Sequence, residues 1–311
     1  MTSVGRRIFA ALLLLITLSV AGFAILRLMP GDFVTVLLTA QSDGVLPEPE
    51  AVAAYAEQMG FDAPLPLQYL RWLGEVLQGD FGLSFTRNQP VTEMIGAAAQ
   101  NSLLLALSVI LLALVIAFPL ALTAALRPGS LFDRALMLVS VAGMSVPTFW
   151  LALLLSLLLV LQLGWLPSSG FDSPRHILLP ALTAATGVAG FLARYLRSLL
   201  LEESQRPYIR TARAQGATAL SALLCHALPN AAPALLTVLG AQLIMIFEGM
   251  LVIETIFNWP GMGRLFVSAL LSRDFPVIQA CFLVIGASYV VINLAVDLLL
   301  GHSDRRIGGA V

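Results

Sequence analysis

The stretch "YIRTARAQGATALSALLCHALPNAAP", Tyr208 to Pro233, sets arginines, a glycine and a Leu-Pro into an otherwise apolar chain. Pro207 suits the first turn of a helix, where its missing N–H costs nothing. Arg206, Arg210 and Arg213 follow at i, i+4 and i+7, along one side. Gly216 is a C-terminal stop. Thr218 is an N-cap type, and Leu220, Leu223, Leu224, Ala227 and Leu228 then form an apolar stripe at helical spacing. Pro229 leads into a long apolar run. The stretch therefore predicts two short helices hinged at a glycine, with a basic edge outside and an apolar stripe inside. Two readings stand for that edge. Its arginines either meet anionic lipid headgroups, at about 1 kcal/mol each, or dock a partner protein.

The surroundings decide the compartment. Apolar residues make up 59% of the chain and charged residues 11%. A soluble domain has about a quarter of its residues charged, so this is a membrane protein. All 17 basic residues are arginine. A Walker A loop needs a lysine on the nucleotide phosphates, so any ATP must be bound by another chain. Cys225 and Cys281 lie far apart, and His176, His226 and His302 are scattered. No zinc or haem spacing occurs, nor does HExxH or GxSxG.

Six uncharged runs read as spans: Ile8 to Leu26, Leu103 to Leu126, Ala135 to Leu163, Ile177 to Ala193, Ala231 to Phe247 and Phe275 to Val296. A membrane helix needs about 20 mostly apolar residues. The fold class is all-α, polytopic, with six transmembrane helices. The first run is too long for the apolar core of a signal peptide and reads as an uncleaved anchor. Pro180, Gly187 and Gly190 predict a kinked or irregular fourth span. With both termini in the cytoplasm, 11 arginines fall inside and 6 outside, as the positive-inside rule demands. The chain then divides into residues 1–28 (tail and first span), 29–101 (outer segment) and 102–311 (a five-span core whose cytoplasmic loop is 194–230).

The outer segment opens on a turn at Pro30-Gly31-Asp32. It continues into an amphipathic helix, "LQYLRWLGEVLQ", whose expected apolar face is Leu70, Leu73 and Leu77. Tyr69 and Trp72 suit a membrane interface. The loop "GDFGLSFTRNQPV" either caps the outer helix ends or receives an outer partner.

Inside the third span, Pro147 of "SVPTFW" kinks the helix. Ser145 or a water then satisfies the freed carbonyl. The kink either serves packing or lines a pathway, with Ser145, Pro147 and Phe149 as the candidate lining. Glu248, the one acid well within the fifth span, is a functional candidate unless it sits at the outer rim. Glu254 is expected beyond the bilayer core, Trp259 of "NWPGMG" at the interface, and Asp297 paired with an arginine.

Between Gly216 and Leu228-Pro229 the chain resembles the type I ABC importer permeases, specifically the first permease subunit of the dipeptide/oligopeptide/nickel group. That family's cytoplasmic signature is EAA, three residues, Gly, nine residues, I-x-L-P. Ala212, Gly216, Leu228 and Pro229 match it, while Arg210 and Thr211 hold the first two EAA positions and His226 the isoleucine position. The peptide-permease form, Tyr-x-Arg-Thr-Ala-Arg-Ala before the glycine, matches better, although Gln215 departs from its usual lysine. "RLMPGD", "PLPLQYLRWL", "GDFGLSF", "SVPTFW", "LPALT", "ETIFNWPGMGRL", "SRDFPVIQ" and "INLAVDLL" extend the resemblance along nearly the whole chain. The tail "SDRRI" departs from the family's Asp-Pro-Arg.

The resemblance implies a type I ABC importer permease fold in a bacterial or archaeal cytoplasmic membrane. The implied partners are a second homologous permease, two cytosolic ABC ATPase subunits and a periplasmic or lipid-anchored substrate-binding protein. ATP and Mg would be held by the ATPases, with no cofactor in this chain and no nucleic-acid partner. Tyr208, Arg210, Thr211, Ala212, Arg213, Ala214, Gly216, Leu228 and Pro229 would form the ATPase-coupling element. Two competing classes are a self-contained secondary transporter, which needs coupling residues at the midplane and usually a repeat, and an intramembrane enzyme, for which catalytic motifs are missing. Dipeptides, longer peptides, nickel chelates, glutathione and opines all occur as substrates in the family.

Overall fold

The computed structural model describes residues 3–28, 34–35, 38–39, 45–58 and 63–303. The expected turn at Pro30-Gly31-Asp32, the residues Arg305 and Arg306, and the side chain of Asp297 lie outside what is described. Among the described residues five helices are long and apolar enough to cross a membrane, and a bent helix pair, Leu131–Ser145 with Thr148–Gln162, makes six where it counts as one span. The chain is an all-α, multi-pass membrane protein.

In order, the helices are α1 (Ser3–Leu28), α2 (Pro49–Gln58), α3 (Leu65–Leu77), α4 (Val91–Leu126), α5 (Leu131–Ser145) and α6 (Thr148–Ser156). They continue as α7 (Leu178–Ser204), α8 (Pro207–Ala214), α9 (Ala219–Ala222), α10 (Leu228–Ile256), α11 (Met262–Ser272) and α12 (Phe275–Ser303). Two compact units divide them, Met1–Asn101 with Gly261–Leu294 and Ser102–Pro260 with Ala295–Val311.

In the first unit, α4 begins well before the expected Leu103. Thr92, Glu93, Gln100 and Asn101 broke the apolar run, yet Val91, Ile95 and Ala98 are buried with Met262, Ala269, Val277 and Ile278. On α3 the expected apolar face holds only at Leu73, which is half-buried. Leu70 and Leu77 are exposed, while Gln68 is buried. Tyr69 and Trp72 pack on Phe23 of α1, with ring centroids 5.5 and 5.6 Å away, and the Tyr69 hydroxyl is 2.7 Å from Ser19 Oγ. The loop after α3 is tied down by the buried Asp274 between α11 and α12. Its carboxylate accepts from Ser84 Oγ (2.5 Å), Phe85 N (3.1 Å), Thr86 N (3.3 Å) and Thr86 Oγ1 (2.8 Å).

In the second unit the core is a seam of small residues. Ala113, Ala117 and Ala121 of α4 and Ala181, Ala185, Ala189 and Ala193 of α7 are all buried. Repeats of four place each set on one helix face. In a membrane, where apolar burial gives helices no mutual preference, small residues let backbones approach and van der Waals contact accumulate. The fourth span, expected to be kinked or irregular, is one unbroken α-helix from Leu178 to Ser204. Pro180 falls in the first turn of α7, where no donor is needed. Gly190 serves close approach, because a Cβ there would lie 3.2 Å from both Cα and O of Ser140 on α5. Ser140 Oγ is buried with no hydrogen-bond partner among the described residues.

The third span differs most from expectation. Pro147 does not kink one helix; α5 ends at Ser145 and α6 starts at Thr148, bent by 104°. Ser145 donates to the Val141 carbonyl at 2.9 Å, not to a carbonyl freed by the proline. Trp259 is 2% exposed and meets Phe171 edge-on at 4.8 Å, so it is a core residue and not an interface anchor. Glu254 is also wholly buried, accepting from Ser102 Oγ at 2.5 Å.

Candidate functional site

The cytoplasm-assigned stretch is built from α7's end onward. Gln205 caps α7, and Arg206 turns extended (φ −66°, ψ 147°) to become the N-cap of α8, with Pro207 in its first turn. Arg206 folds back on the acids before it, reaching Glu202 at 3.2 Å and Glu203 at 3.8 Å. It does not join Arg210 and Arg213 in a basic row. Tyr208 donates its hydroxyl to Glu203. Desolvation first, and then the Glu203 carboxylate, push its phenol up to about 12, so it stays a donor at physiological pH.

One face of α8 is anchored. Ile209 and Ala212, three apart, are buried, and Ile209 packs in a cluster with Ala121, Ala125, Leu196, Leu200 and Leu223. The opposite face carries Arg210, Thr211, Arg213 and Ala214, all exposed. Neither Arg210 nor Arg213 has an ion pair among the described residues. Gly216 closes the helix at φ +100°. Its N–H donates to Arg213 O at 3.1 Å, and the Ala217 N–H reaches back to Ala212 O at 3.1 Å. These two bonds form a Schellman motif, which satisfies carbonyls the helix end leaves bare.

Thr218 then caps the next helix, accepting from Ser221 N at 3.1 Å. This second helix is not separate. Ala219 to Ile256 runs on as one 38-residue rod through a π-helical turn at Leu223–Ala227. Pro229 accounts for the wide turn: it offers no N–H to Cys225 and its ring crowds that carbonyl. The buried stripe is Ala222, Leu223 and Ala227, whereas Leu220 is exposed. Leu228 is half-buried and Pro229 exposed.

Further along the same rod is a cavity of about 310 Å³. The α5–α6 break opens it. Gly143, Met144, Val146, Thr148 and Leu151 line one side, and Gly187 and Phe191 of α7 and Gln242, Gly249 and Ile253 of α10 the other. Ser145, Pro147, Phe149 and Glu248 are exposed and absent from the lining, which their neighbours provide. Gln242 is 7% exposed and was missed from sequence, although it is the one polar side chain between Thr237 and Glu248. Ile209 was missed too; the visible signal was its spacing to Ala212. A third buried group, Asp133 at the start of α5, accepts two bonds from the Arg197 guanidinium of α7, the longer at 2.6 Å.

The family described as "Binding-protein-dependent transport system inner membrane component" matches residues 117–309, and its N-terminal companion matches residues 1–106. The chain is 37% identical to the oligopeptide transport system permease protein AppB of Bacillus subtilis, over 97% of this chain and 98% of that one. It is 36% identical to the glutathione transport system permease protein GsiC of Salmonella paratyphi A, over 97% of each. Among solved structures, a chain of the MetNI methionine ABC transporter superposes with TM-score 0.56 at 20% identity, covering 67% of this chain and 95% of that one. At that identity the likeness is one of fold.

Proposed function

The chain belongs to the binding-protein-dependent transport system inner membrane components, the permeases of type I ABC importers, and from that premise we propose that it carries peptides or similar small solutes and couples to separate ATPases through the loop around Gly216. Relatives that carry oligopeptides and glutathione support the solute class. Two ATPase subunits would hold ATP and Mg. A second, homologous permease would complete the path, and an outer binding protein would deliver the solute.

The carrying observation is the build of α8. Ile209 and Ala212 hold it to the bundle, the Schellman turn at Gly216 fixes its end, and Arg210 and Arg213 are left for a partner. Displacement of α8 is passed through Thr218 into the rod that borders the cavity. ATP-driven closure of the ATPases supplies the energy, because ATP binds the two states with different affinity. Membership of this family favours that reading over a self-contained secondary transporter.

The test is reconstitution with the co-purifying subunits. Uptake is expected to require ATP, and a cysteine at Thr211 is expected to cross-link to an ATPase subunit in a background lacking Cys225. Uptake that persists without any ATPase would overturn the reading.

A further inference from the structure

The cavity at the α5–α6 break holds an unspent hydrogen-bonding group. Gln242 is more than nine-tenths buried and lines the cavity. Its one bond among the described residues runs from Nε2 to Met245 Sδ at 3.7 Å, and a thioether sulfur is a weak acceptor. A primary amide has two N–H donors and two acceptor lone pairs. Gln242 therefore presents a donor and an acceptor side by side to the space in front of it. Two hydroxyls also line the cavity: Thr183, buried, donates to Leu179 O at 2.8 Å, and Thr148 sits exposed at the start of α6. No charged side chain among the described residues lines the cavity. Its volume of about 310 Å³ lies at the lower end for small-ligand sites, which suits a segment of a solute.

We propose that this cavity is a subsite of the transport path in which Gln242 hydrogen-bonds one main-chain amide of the passing peptide. The proposal rests on the peptide reading above. A secondary amide offers one N–H and one C=O in a plane, the complement of what Gln242 presents, and the match survives exchange of the Gln242 oxygen and nitrogen. An ester in its place lacks the donor and leaves a buried acceptor unmet, which is what makes such a site selective. A charged peptide terminus finds no counter-charge and must lie outside the cavity. Gly249 leaves room at the wall: a Cβ built there meets nothing within 4 Å, so a side chain can start there without a clash at its first atom.

The test uses the importer reconstituted with its ATPases, second permease and binding protein. The probes are trialanine and its two single-ester analogues. Gln242→Leu is expected to lower trialanine uptake about tenfold, the worth of roughly one buried hydrogen bond. It is also expected to erase discrimination against one of the esters, while peptide-stimulated ATP hydrolysis shows the complex is assembled. The binding protein is common to both importers, so the change belongs to the cavity. Gly249→Leu is expected to block all three probes. If Gln242→Leu separates amide from ester as wild type does, or Gly249→Leu passes trialanine normally, the subsite is overturned and the peptide reading stands. If the wild-type importer takes up no trialanine, the peptide reading itself falls and the subsite with it.

Discussion

Replacing Gly216 by valine tests the lever most directly. Gly216 sits at φ +100°, with nothing within 4 Å of a Cβ built on it. The substitution therefore creates no clash, and its whole effect is on the backbone. A β-branched residue at positive φ is a steric outlier, and holding one there costs about 1–3 kcal/mol. The chain escapes by rotating φ, which breaks the 3.1 Å bond from Ala217 N to Ala212 O and swings the α8 end out of place. The cost corresponds to a loss of roughly 5- to 150-fold in the population of correctly formed loop. Coupling, measured as solute carried per ATP hydrolysed in proteoliposomes, should fall within that range, while membrane yield stays at the wild-type level. Asn, which tolerates left-handed backbone, should fall between. Gly129→Val is the control, because Gly129 also has positive φ (+77°) and open space around it but lies in a different turn. Equal loss of coupling in the control, or none in Gly216→Val, would refute the reasoning.

Two further outcomes follow from buried or shielded groups. Asp274→Ala removes four hydrogen bonds to Ser84, Phe85 and Thr86 and should destabilise the first unit by about 3 kcal/mol or more, read as a lower unfolding temperature and new protease cleavage between residues 79 and 90, with Asp274→Asn recovering part of the loss. Tyr208, raised to about 12, should ionise late. Its folded value lies above the ordinary value of about 10, so its contribution to loop stability is full below pH 10 and lost as pH rises through 12. A tyrosinate absorbance titration should show a late step that Tyr208→Phe removes.

Local chemistry made much of this legible. Thr218 caps because its hydroxyl is in reach of an amide three residues on, and Gly216 turns because only glycine is comfortable there; both depend on neighbours in sequence. What stayed hidden depends on partners far along the chain. On α3, Leu70, Leu73 and Leu77 share a face, but so do Tyr69, Trp72 and Val76. Phe23, nearly fifty positions earlier, decides which is buried. Pro147 announced a disturbance, but not whether it would bend one helix or separate two. Gly190, pressed on Ser140, looked like a kink and is a contact. Glu254 read as an outlying acid because its partner Ser102 lies on another helix. The cavity was invisible for the same reason: its walls come from four segments, and its buried amide, Gln242, sits alone in an apolar run.

The rod from Ala219 to Ile256 has a geometric consequence. At 1.5 Å per residue, its 38 residues extend about 57 Å, against a membrane of roughly 40–45 Å with its headgroup layers. About one-fifth of its length must therefore stand clear of the bilayer, or the helix must tilt. Under the coupling proposed above, the overhang acts like the handle of an oar resting in its lock, and Gln242, on the same rod, shares its stroke. Such a machine has no clutch. Whatever loosens the handle also moves the grip on the cargo, so solute preference and ATP economy should drift together when this helix is mutated.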